Sequence, residues 1–260
     1  MKLICRIAFI MTILSCVSQS LFAQNSIKEA DVVNMKTLSM FTGPGREFFD
    51  NNGCESYFIV SDLDYATINK YSSIKMEIGN YVQEFGEYVL KPIEGYSWNV
   101  LSKTAENVSI FGVKYDTETG ALVMPPIPNE PAIYLFMRGN SGITYDKNGA
   151  RYDFGEAKLD DKGRIIDWYD RSRQRKLINY DSNGRITLVT MRSRKYEMKW
   201  TNGNLSEMII REDFGQKNIV CHYWYEIVEK NEDGLWTVAD IYMDKNNSKT
   251  KVNRYTRKFE

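Results

Sequence analysis

The heptapeptide Tyr180-Asp181-Ser182-Asn183-Gly184-Arg185-Ile186 constrains this chain more than any other stretch. Asn183 and Gly184 sit where a two-residue hairpin turn needs positive φ, which Gly accepts without a Cβ clash and Asn tolerates better than most residues. Apolar and aromatic residues flank the pair: Leu177, Ile178 and Tyr180 before it, Ile186, Leu188 and Val189 after it. The reading is strand, tight turn, strand.

Looser copies recur on both sides. Asp161-Lys162-Gly163-Arg164-Ile165 precedes it and Trp200-Thr201-Asn202-Gly203-Asn204-Leu205 follows it, so Gly163, Gly184 and Gly203 lie 21 and 19 residues apart. Tyr145-Asp146-Lys147-Asn148-Gly149 and Asn231-Glu232-Asp233-Gly234-Leu235 are weaker members. A period near 20 accommodates two strands and two turns, and one such unit cannot bury its apolar face without neighbours. Tyr180 to Ile186 matches the Tyr-Asp-x-x-Gly-Arg-Ile signature in full, and Asp160 to Ile165 matches it without the Tyr. Over roughly residues 145–215 the chain thus resembles the YD repeats of RHS-type and teneurin-like proteins. The resemblance implies stacked β-hairpins; large members build β-shells that enclose a toxin or support adhesion. The motif implies no activity.

Met1 to Gln24 reads as a targeting segment, with Lys2 and Arg6 before the apolar run Ile7–Leu14. Cleavage after Ala23 makes residues 1–23 a signal peptide. The rival is Ile13-Leu14-Ser15-Cys16 as a lipobox, leaving a lipidated Cys16 as the only membrane attachment expected. Either way an exported protein is expected: periplasmic, cell-surface or secreted. A β-rich N-terminal region, 24–140, then precedes a hairpin-repeat region, 141–260. Between them Met124 to Pro131 holds four of the six prolines and reads as a stiff connector.

Within 24–140, Ser26 to Met40 has weak helical spacing and Leu63 to Ile78 accommodates a short helix. Tyr57-Phe58-Ile59-Val60, Tyr81 to Leu90, Val108 to Val113 and Ile133 to Met137 read as strands. Asn218 to Val228 reads as a central strand, and the charged tail Lys245–Glu260 as an edge strand blunted by its cations. The expected fold is mainly β: antiparallel hairpin and meander repeats in an extended sheet, with a less regular N-terminal part that admits an α+β arrangement.

Beyond residue 23 the acidic residues exceed the basic by two, with 24–149 at −6 and 150–260 at +4. That modest asymmetry does not suit a nucleic-acid binder. Cys54 and Cys221 form an even pair that invites a disulfide in an exported protein; two separate buried thiols are the alternative. His222 is the single histidine, and a lone strand histidine is no catalytic constellation. No zinc set and no carboxylate pair stands out by spacing; the close acids Asp160-Asp161 and Asp62-x-Asp64 fit turn caps better than a calcium loop. No catalytic residue, metal or cofactor is expected. The most suggestive cluster is Arg171, Arg173 and Arg175 beside Trp168 and Trp200, echoed by Arg192-Ser193-Arg194-Lys195, a candidate face for an acidic glycan or a phosphorylated surface polymer. A solvated face with paired arginines is the competing reading. The function expected is an exported, non-catalytic binding or cell-surface structural module for a protein or glycan partner. The alternatives are a carbohydrate-active enzyme with a carboxylate pair, and a partner or immunity-like protein for an exported toxin.

Overall fold

A computed structural model describes residues 26–42, 56–124, 132–146, 151, 156–170, 173–212, 221–245 and 247–260. Three helices come first: α1 (Glu29–Thr42), α2 (Tyr57–Val60) and α3 (Tyr65–Lys70). Strands follow to the C-terminus. They are β1 (Ser73–Glu84), β2 (Glu87–Lys103), β3 (Asn107–Ile110), β4 (Val113–Asp116), β5 (Leu122–Met124), β6 (Ile133–Arg138), β7 (Ser141–Asp146) and β8 (Ala157–Leu159). The second half holds β9 (Ile165–Tyr169), β10 (Arg175–Tyr180), β11 (Ile186–Met191), β12 (Arg194–Thr201), β13 (Asn204–Glu212), β14 (Cys221–Lys230), β15 (Trp236–Lys245) and β16 (Ser248–Phe259).

Each strand pairs antiparallel with its sequence neighbour, and β16 returns to pair with β1 from Ile74↔Phe259 to Asn80↔Asn253. The expected antiparallel hairpin architecture is present, but the expected extended sheet is not: the meander closes into a barrel. Nor does an irregular α+β layer precede the repeats, because β1 to β6 continue the same sheet. The β6–β7 hairpin carries it through residues 140 and 141. The tail is likewise not an edge, since β16 is paired on both sides. Closure is the more stable arrangement because it removes two rows of unpaired backbone groups. The expected signal peptide, Cys16 and residues 125–131 lie outside the described residues.

The helices fill the barrel. Val32 and every residue from Asn34 to Phe41 are buried, so α1 is covered almost all round. That explains its weak periodicity in sequence, because a helix inside a core needs no polar face. Tyr57 to Val60 form the fully buried α2, not a strand; a short apolar run carries no period with which to tell the two apart. Phe41 packs on Trp168 of β9, Tyr57 on Trp200 of β12, and Phe58 on Tyr225, Trp236 and Tyr255 of β14 to β16. Outward faces carry ion pairs such as Lys258–Glu77 and Arg211–Glu197. Apolar in and charged out is the reverse of a membrane-spanning barrel, whose outer band is apolar. Among the described residues no helix is long and apolar enough to cross a membrane.

The repeat turns explain the remaining local choices. Turns after even-numbered strands all lie at one rim of a meander, and the Gly163, Gly184, Gly203 and Gly234 turns follow β8, β10, β12 and β14. A period of two strands therefore brings these four copies to the same rim. In the 181–185 turn the Gly184 amide donates to the Asp181 carbonyl, and Asp181 Oδ1 accepts from the amides of Asn183 and Arg185. Asp160 and Asn231 do the same in their turns. Gly184 has φ +78° but Asn183 is not at positive φ, so this is not the expected two-residue turn. The aspartate-capped loop spans five residues, with one left-handed glycine and a bulge between Asn179 and Tyr180. The two-residue geometry appears instead at Asn202 (φ +50°) and Gly203 (φ +81°).

The plug is fastened to this rim by polar contacts. Asn34 donates to the Gly163 carbonyl and accepts from the Ile165 amide. Thr37 and Tyr180 share a 3.0 Å hydroxyl contact. Lys70 and Tyr71 both bond Asp233 in the β14–β15 turn. Arg257, only 3% exposed, bonds the carbonyls of Ile59 and Trp236 and both oxygens of Asp62.

Candidate functional site

With its interior occupied, the barrel offers ligands its outer wall. The richest chemistry there runs across β12 to β16 and on to β1. Cross-strand register sets Lys199 beside Glu207, Glu207 beside Trp224, Trp224 beside Tyr242 and Tyr242 beside Lys251. Directly opposed residues share a face of the sheet, so these five form one row over five strands. A second row joins Glu226, Asp240 and Arg254. Closure of β1 onto β16 adds Tyr81.

Cations lie over the aromatic rings of the first row. The Lys249 ammonium is 4.5 Å from the Tyr242 centroid and 5.5 Å from that of Trp224. Lys251 is 5.0 Å from Tyr81 and 5.4 Å from Tyr242, and the Arg254 guanidinium is 5.8 Å from Tyr81. Each such contact is worth about 0.5–1 kcal/mol at an exposed site. At the far end His222 stacks on Trp224 at 3.8 Å, and its Nε2 lies 2.9 Å from Glu207 Oε2. Lys199 donates to the same oxygen and, as the main cause, holds Glu207 below its ordinary pKa.

Asp240 anchors the strip. It accepts from Arg254 Nε at 2.7 Å and Nη2 at 2.8 Å, from Lys251 at 2.8 Å and from the Tyr81 hydroxyl at 3.1 Å. Burial alone pushes its pKa up, but the hydrogen bonds and charges of Arg254 and Lys251 outweigh that and hold it at about 2. Its neighbour Glu226 makes a cross-strand carboxylate pair. Asp240 is nevertheless ill suited to general acid catalysis, being ionised with both oxygens engaged.

Beside the strip the wall opens. Pairing of β13 with β14 stops at Glu207↔Trp224, and towards the repeat-turn rim the two strands part. A recess of about 430 Å³ lies there, lined by Asn204, Leu205 and Ser206 on one side and Ile227, Glu229 and Lys230 on the other. That volume falls within the range of small-ligand clefts.

The residues singled out from sequence are not gathered on one surface. Trp168 is buried at 2% and packs inward against Phe41. Trp200 is half-buried, and its indole donates to the Ile186 carbonyl. Arg175 holds Asp167 with two hydrogen bonds, and Arg173 is an exposed turn residue at φ +57°. Arg171, Gly149 and Cys54 lie outside the described residues, and with Cys54 goes the disulfide; Cys221 is half-buried at the start of β14. Of the close acids, Asp160 caps its turn, Asp62 holds Arg257 and Asp64 caps α3 through the Thr67 amide. Among the described residues, no group of three or more His, Cys, Asp or Glu side chains could hold a metal ion. Sequence reading missed the Tyr81–Lys251–Arg254 end because the tail looked like an edge. The alternation of Lys249 with Lys251, after strands that carry Trp224 and Tyr242, was the available signal. No protein-family model matches the chain, and no curated protein is found to be similar to it.

Proposed function

We propose that the chain is an exported, non-catalytic binding or surface-structural module that engages a protein or glycan partner through the strip on its outer wall. The observation carrying this reading is the in-register row Glu207–Trp224–Tyr242–Lys251, flanked by Lys249 and the recess. Aromatic faces with overlying cations supply stacking and charge together, a combination suited to an acidic sugar. The resemblance to YD repeats supports a scaffold role. A glycan array of uronic-acid, sulfated and neutral sugars tests it, run with wild type and with Trp224→Ala and Lys249→Ala. We expect binding to acidic glycans that falls about tenfold in either variant with melting temperature unchanged. Equal binding by the variants removes the strip from the reading, and a blank array moves the partner to a protein.

A further inference from the structure

The β1–β2 hairpin projects beyond the barrel wall. β1 pairs with β16 only as far as Asn80, whereas β1 and β2 remain paired to the tip at Glu84↔Glu87. On its other side β2 meets β3 only at Leu101 to Lys103. Among the described residues, then, no strand covers that side of residues 87–99. The turn is Phe85 (φ +52°) and Gly86 (φ +90°). A phenylalanine in the left-handed region is unusual. The same Phe-Gly turn recurs at Phe111 (φ +43°), where the ring is 1% exposed and packs on Trp98. Phe85 is fully exposed, and Tyr88, Val89 and Leu90 beside it are 50%, 38% and 40% exposed. An uncovered, apolar strand edge is a template for pairing with another chain.

The edge complements itself. The run between Gly86 and Pro92 is Glu87-Tyr88-Val89-Leu90-Lys91. Pro92 lacks an amide hydrogen and bounds the pairable segment. Laid antiparallel against a second copy about a two-fold axis at Val89, it sets Glu87 opposite the other copy's Lys91, Tyr88 opposite Leu90, and Val89 opposite itself. No other register in this run matches both charges and both large apolar residues. Within one copy Glu87 instead opposes Glu84, a like charge. Lys91 bonds Glu84, and Glu87 has no cationic partner among the described residues. A second copy would place its Lys91 beside Glu87, on the side away from Glu84.

We infer that the protein forms a two-fold dimer by antiparallel pairing of β2 residues 87–91, independently of the strip. The seam is short, so the dimer is weak and depends on concentration. Sedimentation velocity of the purified protein tests it, with the charge reversals Glu87→Lys and Lys91→Glu. Each reversal alone opposes like charges twice and is expected to weaken dimerisation about tenfold. An equimolar mixture of the two restores opposite charges and is expected to recover wild-type association. A protein that stays monomeric at every concentration overturns the inference, as does a mixture that fails to recover. Val89→Cys gives a second readout. Only a residue on the two-fold axis meets its own copy, so this variant is expected to cross-link to a covalent dimer under mild oxidation while Ser97→Cys does not. Equal cross-linking of the two, or none at position 89, overturns the register.

Discussion

At the scale of single residues, the repeat signature has a mechanical explanation. In the Gly163 and Gly184 turns the aspartate caps backbone amides with one oxygen and holds the following arginine with the other: Arg164 Nε lies 2.7 Å from Asp160, and Arg185 Nε 2.7 Å from Asp181. Each arginine then lies over the aromatic residue of the next repeat, Arg164 over Tyr180 at 4.5 Å and Arg185 over Trp200 at 5.2 Å. That aromatic donates to the carbonyl of the preceding repeat's isoleucine, Tyr180 to Ile165 and Trp200 to Ile186. Acid, glycine, base, aliphatic and aromatic thus form one chain of contacts linking successive hairpins. Gly184 is needed for the turn because its φ is +78°. Gly184→Val should cost about 1–2 kcal/mol, whereas exposed Ser182→Ala should cost little. Urea unfolding compares the two, and equal midpoints would contradict the turn.

At the scale of elements, the helical plug carries an unusual buried charge. Lys36 of α1 is 9% exposed and donates to the carbonyls of Ser61 at 3.2 Å and Leu63 at 2.5 Å. These carbonyls leave the end of α2, so the ammonium caps one helix from another. Burial depresses its pKa to about 8, against the raising pull of Asp62 and Asp64. The sign follows from proton counts. Between about 8 and its ordinary 10.5 the unfolded chain holds more protons than the native one, so this group makes stability rise with pH. Tyr57 and Tyr180 act oppositely above 10.0, because burial raises both of their pKa values. We expect stability to climb from pH 8 to about 10 and fall beyond it. Lys36→Met should flatten the climb and leave the fall. Chemical denaturation at stepped pH measures both limbs, and an unchanged climb in the variant would remove Lys36 as its source.

At the scale of the whole molecule, closure and filling depend on each other. Arg257 sits in the closing strand β16 yet reaches Asp62 and the Ile59 carbonyl beside α2. Its guanidinium lies 3.6 Å from the Trp236 centroid. One side chain therefore ties the C-terminal strand, its neighbour β15 and the plug. Arg257→Met should cost at least about 3 kcal/mol, because it strands the Asp62 carboxylate, itself 8% exposed, without its cation. Double substitution with Asp62→Leu should recover part of the loss, since the stranded charge is then gone. Thermal melting of the single and double variants measures this, and additive losses would show that the pair is not coupled.

Sequence alone determined what is local. Turn chemistry is set within five residues, so Asp, Gly and Arg at fixed spacing announced the antiparallel meander and its period of two strands. It could not say whether the ribbon stays open, because Ile74 and Phe259 must meet across the whole chain and no short-range signal marks either. The same holds for α1 and α2, whose immersion in a core erases the polar face by which a helix is recognised. The outer strip, too, exists only through tertiary structure: Tyr81 joins Asp240 and Lys251 because β1 closes on β16, and closure is favoured because paired edges leave no backbone group unsatisfied.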